Sequence, residues 1–342
     1  MRSLPATSAL LILLIGGCSP GEDPHFHDVF PGSIQSERGA ITVGLVEFAS
    51  LPEVDGQPAQ MMAMLHEEDT DRFFVADQHG PIYAVSEDGD SVAEYVDVDD
   101  ERWGVDVDTA GPEKGIQNVA FHPQFGEEGT PGRGRFYVWT DTPDGQGEAD
   151  FLPEGGESSH ETVLLEFRAE DPGSGTYDGG EPRVLFRFQQ PYGNHNGGEL
   201  TFNPTAEPGD PDYGLLYVGV ADGGAGGDPH DMARDLSSGF GKVLRIDPLG
   251  SDGRTGEYGI PDGNPFAGDD DPETLDEIWA WGLRNPQHLA WDPFSGQAYV
   301  ADIGQKTVEE VSPISAGADL GWNEWEGSFR FVNGGVVTSG SR

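Results

Sequence analysis

His195 lies in the stretch "YGNHNGGELTFNP", between Asn194 and Asn196 and just ahead of Gly197 and Gly198. Imidazole is the side chain whose ordinary titration falls near neutral pH, which suits it to accept a proton from a hydroxyl group. The glycine pair leaves room for a flat ring to approach the backbone. A carboxylate on the second ring nitrogen would fix the tautomer, and Asp222, at the end of the next strand-like segment, is the candidate. The plainer reading of His195 is a polar turn residue bonded to a neighbouring carbonyl. Farther along, "GLRNPQ" supplies Arg284 and Asn285. A guanidinium stabilises an oxygen that gains negative charge, or it pairs with one of the many carboxylates of this chain. In "ADIGQKTVEEV", Asp302, Glu309 and Glu310 offer oxygens to structural calcium or form a solvated edge.

Residues so far apart in sequence meet only if a repeating architecture brings them to one place. The repeat is an aromatic-Val pair followed closely by Asp. It occurs at Phe74-Val75 with Asp77, Tyr137-Val138 with Asp141, Tyr217-Val218 with Asp222, and Tyr299-Val300 with Asp302, at intervals of 63, 80 and 82 residues. Three copies follow a second element, "VAFHPQF", "LTFNPT" or "LAWDPFSG", an alternating strand stopped by Pro and turned by a polar or Gly-rich stretch. A hairpin recurring at this spacing predicts a radial β-array, because each unit must bury its sheet face against the next. A β-sandwich would show shorter strands at closer spacing. Helical periodicity is nearly absent; "TLDEIWAWGL" passes for a short helix but suits a strand equally well. The expected fold is an all-β propeller. Loops at one end of its blades converge on a central channel, where the Asp closing one strand meets the His opening another.

The chain of 342 residues carries 51 Gly and 26 Pro, and 62 acidic residues against 18 basic ones, a formal charge of −44. A polyanion would be repelled, which excludes nucleic acid as a partner and argues against anionic membrane surfaces and phosphate-rich ligands. Such a surface needs counterions, supplied by calcium or by a salty habitat. With a single cysteine, Cys18, intrachain disulfides are impossible. Residues 1–17 combine Arg2, an apolar run too short to span a bilayer and a Gly-Gly pair before Cys18, which reads as an export signal. Its "LIGGC" resembles a bacterial lipobox. Cys18 is then the lipidated N-terminus of an exported, membrane-anchored protein, and Ser19 fits outer-membrane sorting over inner-membrane retention, facing the periplasm. Residues 18–40 read as an acidic tether, and order is expected from about Ile41, giving a propeller domain over 41–342.

Seven ordered stretches, "EKGIQNVAFHPQF", "NHNGGELTFNP", "YVGVADGGAGGDPHDMARDLSSGFGKVLRIDP", "YGIPDGNPF", "EIWAWGLRNPQHLAWDP", "ADIGQKTVEEV" and "DLGWNEWEG", resemble the glucose/sorbosone dehydrogenase family. That family includes soluble quinoprotein aldose dehydrogenases and Hedgehog-interacting-protein-like proteins. The resemblance implies a six-bladed propeller that holds pyrroloquinoline quinone (PQQ) and calcium at the channel mouth, oxidises aldoses and passes electrons to an external acceptor. It carries the general base to His195, supported by Asp222, and quinone contacts to Asn194, Arg284 and Asn285. The calcium-binding carbonyls fall on Gly304 and Gln305.

Three departures bear on that expectation. Gly304-Gln305 replaces a Gly-Pro pair, closer to the Hedgehog-interacting-protein-like branch; backbone carbonyls survive the change, but a rigid ring is lost. Glu113 stands where some of the enzymes place a cofactor-contacting Gln, and its charge would repel the quinone's carboxylates unless calcium or Arg intervenes. Four hairpin copies precede Arg342, where the family continues with roughly two more blades, so a fragment or a shortened form is expected, with open strand edges. The reading is an exported, PQQ-dependent sugar dehydrogenase-like oxidoreductase. The alternative is a non-catalytic, calcium-stabilised propeller that binds carbohydrate or protein at the cell surface.

Overall fold

The computed structural model describes residues 44–54, 56–332 and 336–339. The export signal, Cys18 and the tether lie outside the described residues. From Val46 onward the chain forms five successive sheets. The first comprises β1 (Met61–Glu67), β2 (Arg72–Asp77), β3 (Pro81–Ser86) and β4 (Val92–Asp97), and the second β5 (Ile116–Phe121), β6 (Arg135–Thr142), β7 (His160–Arg168) and β8 (Arg183–Gln190). The third contains β9 (Leu200–Phe202), β10 (Leu216–Val220), β11 (Lys242–Ile246) and β12 (Ile278–Trp281), and the fourth β13 (Pro286–Trp291), β14 (Ala298–Asp302) and β15 (Glu310–Ile314). The short β16 (Ala318–Asp319) adds in parallel to β12. A last sheet has β17 (Trp325–Glu326), β18 (Phe329–Val332) and β19 (Val336–Ser339). Consecutive strands within each sheet are antiparallel. "IWAW" is strand β12; its one-residue irregularity against β11 explains its weak alternation.

The sequence repeat falls on the second strand of each of the first four sheets. A strand's side chains alternate between its two faces, so the aromatic and the valine of each copy serve different interfaces. Phe74 packs in the core between the first and second sheets, where Val138 arrives from the other side. Tyr137 packs in the core between the second and third, where it meets the layer of Val218. Tyr217 packs between the third and fourth, with Val300. In the first three copies the aromatic thus fills the following interface, and in the last three the valine fills the preceding one, which gives a propeller arrangement of stacked sheets. Each such fully buried side chain contributes about 1.5–3 kcal/mol of apolar burial. The second strands β6 and β10 are covered on both faces, and β10 is buried along its whole length. The inner strands β1, β5 and β9 adjoin one another, and β13 adjoins β10.

The aspartates of the repeat have a shared structural task. Asp77 accepts the backbone N–H of Gln60, which leads into β1, at 2.8 Å. Asp302 accepts the N–H groups of Arg284 and Asn285, which lead into β13, at 2.9 and 2.6 Å. Asp141 accepts Gln117 Nε2, on β5, at 2.7 Å. Each carboxylate ties the end of a second strand to the start of the first strand of its own sheet. Burial drives Asp302 up to about 7 despite its two N–H donors and also raises Asp141.

Candidate active site

In the third sheet the same clamp position, Asp222, holds the ring of His195. Asp222 is fully buried, and its Oδ1 lies 2.6 Å from His195 Nδ1. On the opposite side of the ring, Arg284 NH2 is 2.9 Å from His195 Nε2. A guanidinium has donors only, so Nε2 presents its lone pair, and Nδ1 carries the proton that it donates to Asp222. The tautomer follows from its two partners. His195 is 5% exposed and takes φ +58°, left-handed backbone that a residue with a Cβ adopts rarely. The conformation is held by Glu113, whose Oε2 accepts the His195 N–H at 2.8 Å and whose backbone O accepts Asn196 Nδ2 at 2.7 Å.

Arg284 links this ring to the predicted residue Gln305. Arg284 donates through NH1 to Ile303 O at 2.9 Å and through Nε to Gln305 Oε1 at 3.3 Å. Gln305 Oε1 also accepts Gly227 N at 2.9 Å, so the side chain that replaces proline links the Gly-rich loop after β10 to the guanidinium. Asn194 Oδ1 accepts Ala225 N at 3.2 Å, a second tie to that loop. Asn285 is buried, its Oδ1 accepting Gln287 Nε2 at 2.8 Å. Asp228 closes the loop by accepting Met232 N and Ala233 N, both at 2.9 Å, and burial raises its carboxyl to about 6.

One sequence-based expectation changes. The space expected beside Gly197 and Gly198 is already filled. A Cβ on Gly197 would lie 2.5 Å from Trp139 Nε1, and one on Gly198 would lie 2.6 Å from Pro286 O, so the glycines serve close packing between sheets. Glu113 braces the His195 loop through the His195 N–H. The acidic residues of the "ADIGQ" loop likewise bind backbone: Glu309 accepts Gly304 N at 3.1 Å and Glu310 accepts Gly327 N at 2.5 Å. Among the described residues, no group of three or more His, Cys, Asp or Glu is placed to hold a metal. No described residue donates to the carbonyl oxygens of Gly304 and Gln305. Those two oxygens fit calcium, which takes oxygen ligands of any origin. Arg284 and the Asn285 carboxamide fit the oxygens of a quinone. Trp322, which donates to Asp222 Oδ2 at 2.9 Å, lay in a stretch that the sequence singled out without a task.

A propeller with a carboxylate–imidazole–guanidinium array at the strand ends defines the class. Residues 57–339 match the model of the family described as Glucose / Sorbosone dehydrogenase, and the chain belongs to that family. It is similar to the HIPL1 protein of Arabidopsis thaliana, 30% identical over 310 residues, covering 80% of this chain and 42% of that protein. It is also similar to the aldose sugar dehydrogenase YliI of Escherichia coli, 30% identical over 143 residues, covering 41% of this chain and 32% of that protein. The PQQ-bound aldose sugar dehydrogenase of Streptomyces coelicolor shares the fold, with a TM-score of 0.55 at 22% identity, covering 87% of this chain and 69% of that chain. This chain therefore spans less than half the length of these two curated relatives.

Proposed function

We propose that this protein is an exported, lipid-anchored sugar dehydrogenase-like oxidoreductase in which His195 accepts the proton of a sugar hydroxyl. The observation that carries the reading is the pair of contacts on one imidazole: Nδ1–H to Asp222 at 2.6 Å and Nε2 facing Arg284 at 2.9 Å. An aldose hydroxyl that donates to Nε2 replaces the Arg284 contact there. The proton moves to Nε2 as the carbon gives up hydride, and the hydroxyl-bearing carbon becomes a carbonyl. Asp222 balances the imidazolium that forms. The freed NH2 of Arg284 would be available to stabilise negative charge on a bound electron acceptor. PQQ would supply the two-electron acceptor, with calcium on the Gly304 and Gln305 carbonyls to polarise it. Asn194 and Asn285 would orient it, and an external acceptor would remove the electrons. The similarity to the aldose sugar dehydrogenase YliI and to the PQQ-bound Streptomyces enzyme supports aldose as the substrate class and PQQ as the cofactor.

One observation favours the non-catalytic alternative. Each nitrogen of Arg284 already has an internal partner, and Gln305 links Arg284 to the Gly-rich loop. A carbohydrate- or protein-binding propeller would keep that arrangement. The deciding experiment is aldose-dependent reduction of a dye by the purified protein, with PQQ and calcium added together and separately. Reduction only when sugar and PQQ are both present supports the dehydrogenase. Sugar binding without dye reduction under any condition supports the alternative.

A further inference from the structure

The stretch "DLGWNEWEG" places Trp322 against both groups that flank His195. Its indole Nε1 donates to Asp222 Oδ2 at 2.9 Å, while Asp222 Oδ1 is the oxygen that His195 Nδ1 meets. Its ring lies 5.7 Å from the Arg284 guanidinium carbon, within cation–π range. The indole itself has little freedom. It is 3% exposed, packs against Ala233 and Phe331, touches the Phe331 ring at a centroid distance of 4.7 Å, and has its backbone N–H on Gly282 O at 2.9 Å. Gly224 N supplies the remaining side contact of the carboxylate, 3.0 Å from Oδ1.

We propose that Trp322 is the positioning residue of His195, fixing Asp222 on one side of the imidazole and backing Arg284 on the other. A carboxylate pivots about its Cβ–Cγ bond, and a donor held on Oδ2 stops that rotation with Oδ1 aimed at Nδ1. The aromatic face behind Arg284 holds the planar guanidinium where its NH2 reaches Nε2. An aliphatic residue at 322 would fill the space and supply neither constraint. The inference rests on the reading of His195 as the base, but its geometry stands independently of turnover.

The test is NMR of the full chain labelled with 15N in histidine and tryptophan. The His195 Nδ1–H resonance is assigned by its loss in His195→Gln. In Trp322→Phe, which keeps an aromatic face and removes the N–H, this proton is expected to move upfield and to exchange with solvent about tenfold faster or more, the equivalent of one charge-assisted hydrogen bond. An unchanged position and exchange rate in a folded Trp322→Phe protein overturns the proposal. Asp222→Asn provides a second test that leaves Trp322 in place. An amide that turns its NH2 toward the indole loses the acceptor, so one indole N–H resonance must shift and lose protection. If no indole resonance moves, the Trp322–Asp222 bond does not hold in solution and the proposal falls. Both readouts are independent of sugar oxidation. Protein that shows these shifts but oxidises no sugar keeps the positioning role and loses the dehydrogenase reading; active protein without the shifts gives the reverse.

Discussion

At the scale of single residues, the account turns on which atom each group offers His195. Because Asp222 takes Nδ1–H and Arg284 faces Nε2, substitutions on the two sides have different consequences. Asp222→Asn keeps the size but offers one acceptor where the carboxylate offers two, so the ring is held less well. Its turnover is expected to fall by ~10–100-fold, the usual worth of an orienting partner, with little change in cofactor affinity. Arg284→Ala is expected to weaken both turnover and PQQ binding, since its charge acts before and during electron transfer. Steady-state rates with PQQ titrations separate the two patterns. The His195–Asp222 pair was legible in the sequence because Asp222 closes a copy of the repeat and His195 stands beside a glycine pair just ahead of that hairpin. The Arg284 contact and Trp322 were not. Both depend on loops whose paths are set by Gln305, Gly227 and Phe331, and no local pattern encodes those paths. Glu113 was legible as a site residue, but its partner, a backbone N–H in an uncommon conformation, leaves no mark in a sequence.

At the scale of elements, stability resides in sheets that are buried on both faces. Gly197 has φ +122°, and an added Cβ would meet Trp139 and the backbone oxygen of Gly219. Gly197→Ala is therefore expected to destabilise by about 1–3 kcal/mol, read from denaturant midpoints, and to disturb the base loop. Lys242 on β11 is fully buried, its Nζ donating to the carbonyls of Met232, Ala233 and Phe240. Burial still lowers its pKa to about 7 from an ordinary 10.5. Between those values the unfolded chain holds a proton that the native chain has released, so this contribution to stability grows as pH rises and is lost as pH falls toward 7. Unfolding midpoints of the native sequence minus those of Lys242→Met should increase from pH 7 to pH 10; a flat difference contradicts the assignment. The four second strands were readable from the aromatic-Val-Asp repeat because one residue fills each interface and the third clamps the sheet. A fifth echo, Phe331-Val332 on β18, went unread because no Asp stands two to four places after its valine, as one does in the other copies. Strand β16, two residues long and parallel to β12, has no periodicity to read.

At the scale of the whole molecule, the repeat predicted stacked sheets, and the three interface cores bear that out. The strong acidic excess is a property of the surface and did not locate the site, where one guanidinium stands among the carboxylates of Glu113, Asp222 and Asp302. Export rests on residues 1–17 and anchoring on "LIGGC": metabolic labelling with a fatty acid should tag the native protein and miss Cys18→Ala, whereas equal labelling of both removes the anchor from the account. The central claim is that His195 accepts the hydroxyl proton. Its most direct test is the turnover of His195→Ala in dye-linked aldose oxidation, measured beside PQQ affinity in the same preparation. The account predicts a loss of ~10²–10⁴-fold, the usual worth of a positioned base, with PQQ affinity nearly unchanged. A His195→Ala protein that binds PQQ and oxidises sugar at the native rate would contradict it.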